Sequence, residues 1–451
     1  MNLNLNFSRV VGDILDTVGS RERLRQIIAT PLYRNALYLV LNSAIDAFFG
    51  FFFWMAAARF YSESEVGTSS AVISAVSLLA LLSMVGLNFS VIRFLSQAQR
   101  PRQLINSSFT LTGLLSLVAA GVFLAGLGWW SPALTFIRQN ALFTLSFLAF
   151  AVLWVAATLT DSVFIAKRRA GFVLIFNTIT GLLKVALVIA LALVSYTFGI
   201  IASWTVGLVV AVAVSLFLLL PRVEPGYRPV PNLKAGQVKG FTRYSLHSYV
   251  AALLSRGPTM VLPILVLNVL GTETNAYFFI AWRIADLLFT IPWAISQSLF
   301  AEGSFSPRTL KENVTKSIKF TLILAVTATV LFTVCAKWLL LAFGQSYSDN
   351  ALHLLWLLSL ASVPLGISHV YISVLRVQDR LREMVIIRGV VAIAVPVLSL
   401  LVMRANGIMG IGYVWLGLQA VVAVISIVRL RTLVSRFHYP ESSAHEDTHN
   451  L

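Results

Sequence analysis

Residues 140–166 read NALFTLSFLAFAVLWVAATLTDSVFIA, followed by Lys167-Arg168-Arg169 and then a second apolar run, GFVLIFNTITGLLKVALVIALALVS, over 171–195. The first run holds a single charge, Asp161, and the second holds only Lys184. A helix rises about 1.5 Å per residue, so about 20 apolar residues cross the roughly 30 Å hydrocarbon core of a bilayer. Both runs are long enough, and the basic triplet between them is a connector that belongs in water. Apolar run, short connector, apolar run is the unit from which the chain is built.

Working outward, such runs fall at 34–60, 67–96, 105–130, 140–166, 171–195 and 198–221, and again at 241–268, 275–303, 315–341, 350–376, 384–404 and 408–430. The fold class is therefore an all-α polytopic membrane protein of about twelve transmembrane helices. Composition agrees: 58% of the residues are hydrophobic and 12% charged, about half the charged share of a soluble domain. Hydrocarbon requires that depletion, because each unpaired charge in it costs at least about 2.5 kcal/mol. The net charge of +16 would suggest nucleic acid in a soluble chain. Here the basic residues sit in connectors and form no stripe with interleaved aromatics, so nucleic acid is not an expected partner. Cys335 is the only cysteine, which excludes a disulfide framework and a paired-cysteine metal site; no metal or cofactor is expected. The first thirty residues show no apolar core ending in small residues, so the first spanning helix is expected to direct insertion itself.

Lysine and arginine placement sets the expected orientation. Arg21, Arg23 and Arg25, Arg100 and Arg102, Lys167 to Arg169, Arg222, Arg228, Lys234 and Lys239, Arg308 and Lys311, Arg380 and Arg382, and Arg431 and Arg436 all fall on one side. Of 34 basic residues, 27 lie on that side, 4 on the other (Arg59, Arg138, Lys337, Arg404) and 3 within the membrane. The positive-inside pattern places both termini in the cytoplasm, in a cell (inner, cytoplasmic) membrane. Segment 1–33 carries Phe7, Val10, Val11, Ile14, Leu15 and Val18 on one helical face; it is an amphipathic helix that lies on the leaflet or packs beneath the bundle. A linker, 222–240, begins just past Pro221 and contains Pro225, Pro229 and Pro231. It divides a six-helix lobe at 34–221 from a second at 241–430, and 431–451 form a polar tail. The halves are related: a shift of 209 positions lays Ser62-Glu63-Ser64-Glu65 over Gly271-Thr272-Glu273-Thr274, Asn88 over Gln297, and Asp46 one place from Arg256. Parallel repeats of this kind place a transport path between the halves.

Ionisable residues inside a membrane are functional candidates by default. At about 1.5 Å per residue, Asp46, Lys184, Arg256, Arg283 and Asp286 share one layer near the bilayer centre. Three cations and two acids suit a cavity for a polyanionic head group, with a carboxylate free to compete for the cations or take a coupling ion, H+ or Na+. The substrate-binding candidates are Arg256, Arg283, Lys184, Asn88 and Gln297; the ion-coupling candidates are Asp46 and Asp286. The alternative is internal pairing, Arg256 with Asp286, that only fixes helix packing; Lys184 either snorkels or faces a partner helix. Gly257 and Pro258 follow Arg256, and proline in a helix interior predicts a kink or break there, the hinge candidate. Asn42 and Asn177 bond sugars or neighbouring helices. His247, His353 and His369 are weaker candidates as proton carriers, and Asp161 is expected to pair with Lys167 to Arg169. No P-loop, HExxH, nucleophile elbow or dinucleotide fingerprint occurs, so the chain is not expected to be an enzyme.

The first hairpin, Phe51-Phe-Phe-Trp-Met-Ala-Ala-Ala-Arg59-Phe-Tyr61 with Glu65-Val66-Gly67, the elements Gly86-Leu87-Asn88 and Ile92-Arg93-Phe94-Leu95, and Phe343-Gly344-Gln345-Ser346-Tyr347 resemble the polysaccharide flippases of the multidrug/oligosaccharidyl-lipid/polysaccharide (MOP) exporter superfamily. The resemblance covers about residues 30–430 and implies a V-shaped pair of six-helix lobes with alternating access. It also implies a polyprenyl-pyrophosphate-linked oligosaccharide as substrate, ion-gradient coupling, and membrane lipids and polysaccharide assembly enzymes as partners. Arg256 and Asp46 match the substrate and ion roles by position. The competing readings are a multidrug and toxin extrusion (MATE) antiporter for organic cations, which needs an acid-dominated cavity, and a membrane glycosyltransferase or polysaccharide polymerase, which needs longer outer connectors.

Overall fold

The structure is a computed structural model that describes residues 31–194, 198–233, 242–305 and 310–435. Nearly all of the expected amphipathic segment 1–33, residues 234–240 of the linker and most of the tail lie outside the described residues. The spanning helices are α1 (Pro31–Phe60), α2 (Glu63–Met84), α3 (Pro101–Ala125), α4 (Ala141–Ala166), α5 (Ala170–Leu193) and α6 (Gly199–Val223). They continue as α7 (Thr242–Leu270), α8 (Thr272–Phe305), α9 (Leu310–Leu341), α10 (Gln345–Val377) and α11 (Leu381–Ser435). No strand occurs among the described residues. The chain is a multi-pass, all-helical membrane protein.

Eleven helices are long and apolar enough to cross a bilayer, and the last is far too long to cross once. A straight helix over Leu381–Leu433 would measure about 80 Å. Gly407, at φ 56 and ψ −147, breaks it, in a region of backbone space open essentially to glycine alone. Beyond the break the chain doubles back: a Cβ on Gly410 would lie 2.9 Å from the carbonyl carbon of Val402, a separation of about 12 Å in a straight helix. α11 is thus two arms, and the described residues hold twelve helical segments long and apolar enough to cross.

Local chemistry explains the helix ends. Ser62 caps α2 through the backbone N–H of Glu65, and the Glu65 carboxylate accepts from the Ser62 N–H at 2.9 Å, a reciprocal capping box. Asn140 caps α4 by accepting from the N–H of Leu142 at 2.8 Å. The expected run 67–96 is not one helix. α2 stops at Val85 and Gly86, both at positive φ, and a short helix follows at Leu87–Phe94. Gly86 lies against α7, where a Cβ would sit 2.7 Å from the carbonyl oxygen of Ser245. Near Pro221, α6 widens into a π turn at Ser215–Leu219, one way to accommodate a ring that cannot donate to the helix ladder.

The 209-position relation reappears in the coordinates: α2 and α8 start at Glu63 and Thr272, and α3 and α9 at Pro101 and Leu310. α2 packs against α7 and α8 across the lobe boundary. Close to the starts of α2 and α8, the Ser64 hydroxyl donates to Thr272 Oγ1 at 2.9 Å. Asn275 Nδ2 donates to the carbonyl of Gly67 at 2.7 Å and to Ser70 Oγ at 3.1 Å. The helix termini that carry Arg100, Lys167, Arg222, Arg380 and Arg382 define a basic end of the bundle, and Arg59, Arg138, Lys337 and Arg404 lie toward the far end. At the far end Arg59 donates to the carbonyls of Leu341 (2.5 Å) and Ala342 (2.8 Å), and Phe51 meets Phe343 edge-on at 5.2 Å. Toward the basic end the Ser90 and Ser245 hydroxyls bond and Tyr249 donates to the Leu82 carbonyl at 3.1 Å. On α1, Phe53, Trp54, Ala56 and Ala57 in the far half are buried, whereas Leu37, Val40 and Leu41 near the basic end are exposed. α1 is therefore joined to the second lobe at the far end, while α2 ties the lobes at both ends.

Candidate functional site

Two cavities adjoin at Asp286 in the interior. The first, of about 410 Å³, lies mainly in the first lobe and is lined by Asp46 of α1, Asp161 of α4, Asn177 and Lys184 of α5, Trp204 of α6, and Arg283 and Asp286 of α8. Its wall is aromatic, with Phe51, Trp54, Trp154, Phe176 and Phe343. Lys184 does not snorkel. Its ammonium sits 4.0 Å from the ring centre of Trp204, a cation–π contact, and Trp204 stacks on Trp154 at 4.9 Å. Gly207 leaves room for it: a Cβ there would come within 3.2 Å of Lys184 Cγ.

A chain of side chains links two acids of this cavity, Asp46 and Asp161. Asn42 Nδ2 donates to Asp46 at 3.3 Å, Asn177 Nδ2 donates to Asn42 Oδ1 at 3.0 Å, and the same amide reaches Asp161 at 3.5 Å. Asp161 Oδ1 is buried with no partner. The expected pairing of Asp161 with Lys167 to Arg169 is not found. Lys167 lies six residues on from Asp161, about 9 Å further along the helix axis and about 120° around it, whereas neighbours on one face are three or four apart. Lys167 instead bonds Glu224 at 2.6 Å, and Asp161 turns into the cavity.

The second cavity, of about 540 Å³, lies within the second lobe. Ser255, Arg256, Pro258 and Thr259 of α7, Trp282, Asp286 and Trp293 of α8, His369 of α10, and Arg388, Trp415 and Gln419 of α11 line it. Asp286 lines both cavities. The five mid-membrane residues thus do not share one space. Asp46, Lys184, Arg283 and Asp286 stand together, and Arg256 stands with Asp286 on the other side. Equal depth along separate helices fixes height in the membrane but not rotation, which is why one layer resolves into two chambers. Asp286 pairs with Arg283 at 3.6 Å, one turn away, rather than with Arg256. Arg283 also lies over Phe279 at 5.0 Å.

Asn88 and Gln297 line neither cavity. Asn88 lies on the short helix after α2, and Gln297 Oε1 accepts from Arg376 at 3.4 Å. α7 runs as one helix through Gly257 and Pro258, so of the expected kink or break the chain does not break there; Pro263 lies further along the same helix. The positive-φ breaks fall at Val85–Gly86 and Gly407 instead. Proline removes one N–H from the ladder and need not end a helix held by neighbours on both sides. Sequence reasoning missed Arg388 as a cavity residue: it stands near the end of an expected span, where a positive charge reads as a topology signal. The available cue was its place between Ile386-Ile387 and Gly389-Val390-Val391. Among the described residues no group of three His, Cys, Asp or Glu is placed to hold a metal ion.

The profile of a family described as polysaccharide biosynthesis protein matches residues 56–351. No curated protein matches the sequence. Among solved structures, the lipid II flippase MurJ in an inward closed conformation is similar with a TM-score of 0.70 and 10% identity, over 89% of this chain and 87% of that one. An inward-facing multidrug resistance MATE family transporter of the MOP superfamily is similar with a TM-score of 0.65 and 15% identity, over 89% and 98%. A MOP superfamily transporter from Pyrococcus furiosus, described as having a binding pocket of reverse polarity that suggests a different function, matches with a TM-score of 0.61 and 14% identity, over 91% and 97%. These likenesses are of fold: the chain shares the fold of these flippase and MATE transporter structures.

Proposed function

The chain belongs to the polysaccharide biosynthesis protein family, and from that premise we propose that it flips a polyprenyl-pyrophosphate-linked oligosaccharide from the cytoplasmic to the outer leaflet. The observation that carries this reading is the pair of adjoining cavities holding Lys184, Arg283, Arg256 and Arg388, in a bundle whose α1 meets the second lobe at the far end. With the basic end cytoplasmic, by the positive-inside rule, that arrangement suits loading from the inner leaflet. Both termini then lie in the cytoplasm and the membrane is the cell's inner one. A cationic interior stabilises a diphosphate, while the lipid tail stays in the bilayer.

In this reading Arg256, Arg283 and Lys184 meet the anionic head group, and Asp46 and Asp286 couple transport to H+ or Na+. The Asp46–Asn42–Asn177–Asp161 chain supports an ion-binding role for the first lobe. Asn88 and Gln297 line neither cavity and act on substrate only if the lobes rearrange. The same two carboxylates, Asp46 and Asp161, favour a second reading, MATE-like export of organic cations. The uncompensated arginines of the second cavity argue against it.

Replacing Arg256 with alanine tests the proposal. Export of the cell-surface glycan is expected to be lost while the protein inserts at its normal level; normal export would remove Arg256 from the site. Uptake of an organic cation into vesicles, with no movement of a labelled lipid-linked sugar, would select the second reading.

A further inference from the structure

We propose that a third cavity, in the far half of the first lobe, binds one acyl chain of a phospholipid from the far-end leaflet, and that its occupancy favours closure of the lobes at that end. The cavity, of about 230 Å³, shares no lining residue with the other two, and the proposal does not depend on what those carry. Five phenylalanines line it: Phe136 of the α3–α4 connector, Phe143, Phe147 and Phe150 of α4, and Phe198 just before α6. At the far end, the Phe198 ring lies 4.6 Å from that of Phe143 and 5.8 Å from that of Phe136. Phe150 lies about 10 Å deeper along α4 than Phe143. It touches Trp154 at 5.6 Å and Trp204 at 6.4 Å, two rings that line the first cavity, so aromatic side chains stand between the two spaces.

The lining selects the occupant. No ionisable residue takes part, and the polar side chains are Ser146 and Thr205, of which Thr205 already donates to the Ile201 carbonyl at 2.9 Å. An organic cation or a sugar finds no charge to pair with, and so apolar a space holds water poorly. Its volume falls between the roughly 150 Å³ that takes a benzene and the roughly 300 Å³ at which drug-sized pockets begin, which suits part of one hydrocarbon chain. Leu142 of α4 and Val206 of α6 border it and are 62% and 44% exposed. The space therefore opens between spanning helices, where the medium is hydrocarbon. A head group has a place as well. Arg138, the neighbour of Ile137 in the cavity wall, is exposed. On the same connector Trp129 is 90% exposed, and tryptophan is enriched at the level of lipid head groups. A chain inserted here leaves its phosphate at the height of an arginine. Phospholipids supply most of the chains in a bilayer, so mass action favours one of them as the occupant.

The connector that supplies Phe136 and Ile137 is tied to the second lobe. Asn268 Oδ1 of α7 accepts from the N–H of Ala133 at 3.1 Å, and its Nδ2 donates to Ser131 Oγ at 3.0 Å and to the Ile264 carbonyl at 2.7 Å. Both amide protons are used, so the orientation of Asn268 is fixed. Val72 of the cavity wall belongs to α2, the helix that crosses α8 at Gly67. A chain in the cavity supports Phe136 and Ile137, and with them the connector seated on Asn268, whereas an empty space forfeits those contacts. A ligand that prefers this arrangement shifts the balance toward it, and the arrangement in turn strengthens the ligand's binding.

A phospholipid with a photoreactive diazirine near the end of one acyl chain, in nanodiscs with the full chain, tests the site, with adducts mapped by peptide mass spectrometry. In wild type, residues 136–150 and 198–206 should carry at least threefold more adducts than residues 323–338 of α9, where Ile323, Val330 and Trp338 are exposed. Ala202→Phe puts a ring into the cavity and should bring its labelling down to the α9 level, with α9 labelling unchanged. Val206→Phe, at the opening, should do the same and serves if Ala202→Phe does not insert. Asn268→Ala, outside the cavity, should lower the labelling at least twofold, because the opened arrangement holds the chain less well. Equal labelling of the two regions in wild type, or wild-type labelling in the phenylalanine variants, would overturn the site. Labelling by a polyprenyl phosphate with the same reactive group, where the phospholipid gives none, would overturn the choice of occupant. Wild-type labelling in Asn268→Ala would overturn the link to closure.

Discussion

Gly67→Ala is the most informative single change at the lobe boundary. Gly67 lies where α2 crosses the start of α8, and a Cβ there would sit 1.8 Å from the carbonyl oxygen of Thr272 and 3.1 Å from the backbone nitrogen of Ala276. Both atoms are backbone, so no side chain can swing away and the helices must separate by more than 1 Å to reach ordinary contact. Overpacking of this kind costs about 1–3 kcal/mol. The same movement stretches the Asn275 bonds to the Gly67 carbonyl and Ser70 hydroxyl, each worth about 1 kcal/mol. The far-end-closed arrangement is thus disfavoured by about 3 kcal/mol, or roughly 100-fold in population. A conformational balance set by a few kcal/mol is inverted by that change. Spin labels at Gln139→Cys and Asn350→Cys, in a Cys335→Ser background, report the far-end separation. Gly67→Ala should move the distance distribution to longer values, and Gly67→Leu should move it further. An unchanged distribution in both variants would refute the crossing as the far-end closure.

Other changes probe the remaining parts. Arg59→Ala removes two cross-lobe bonds to the carbonyls of Leu341 and Ala342, each worth about 1.5–3 kcal/mol when the donor is charged, and should lengthen the same spin-label distance; Arg59→Lys should restore part of the closure. Gly407→Ala forces a side chain into a backbone region that disfavours it by about 1–3 kcal/mol, and should lower the thermal midpoint in detergent without altering the position of other helices. Asn177→Ala cuts the chain between Asp46 and Asp161 and should weaken the dependence of transport on an ion gradient, read as a smaller change in initial rate when the gradient is collapsed. Asp46→Asn should do the same, and unchanged coupling in both would assign these residues to packing.

The bundle was legible in the sequence because spans are long-range averages of hydropathy, which survive errors of a few residues at each end. Gly407 escaped as a named hinge because many glycines occur in such runs and only the reversal of the chain singles one out. Ser62 and Glu65, in contrast, stand where the internal repeat places a helix start, and they form its cap. Depth of charge was equally readable, and Asp46, Lys184, Arg283 and Asp286 do gather in one cavity. Rotation of each helix was not, so Arg256 and Arg388 fell into a second chamber that only packing reveals. Asp161 shows the limit of sequence proximity at short range: nearness suggested the basic triplet, but Lys167 turns to Glu224 and Asp161 lies beside Asn177.

The central claim is transport of a lipid-linked glycan, and the direct measurement uses purified protein in vesicles with a fluorescent polyprenyl-diphosphate oligosaccharide. A membrane-impermeant quencher or glycosidase reads the leaflet. Wild type should bring the label in the quencher-inaccessible leaflet into reach within the assay, and Arg256→Ala should slow that transfer to the rate of protein-free vesicles. Equal rates for wild type and empty vesicles, under an imposed ion gradient of either sign, would contradict the account.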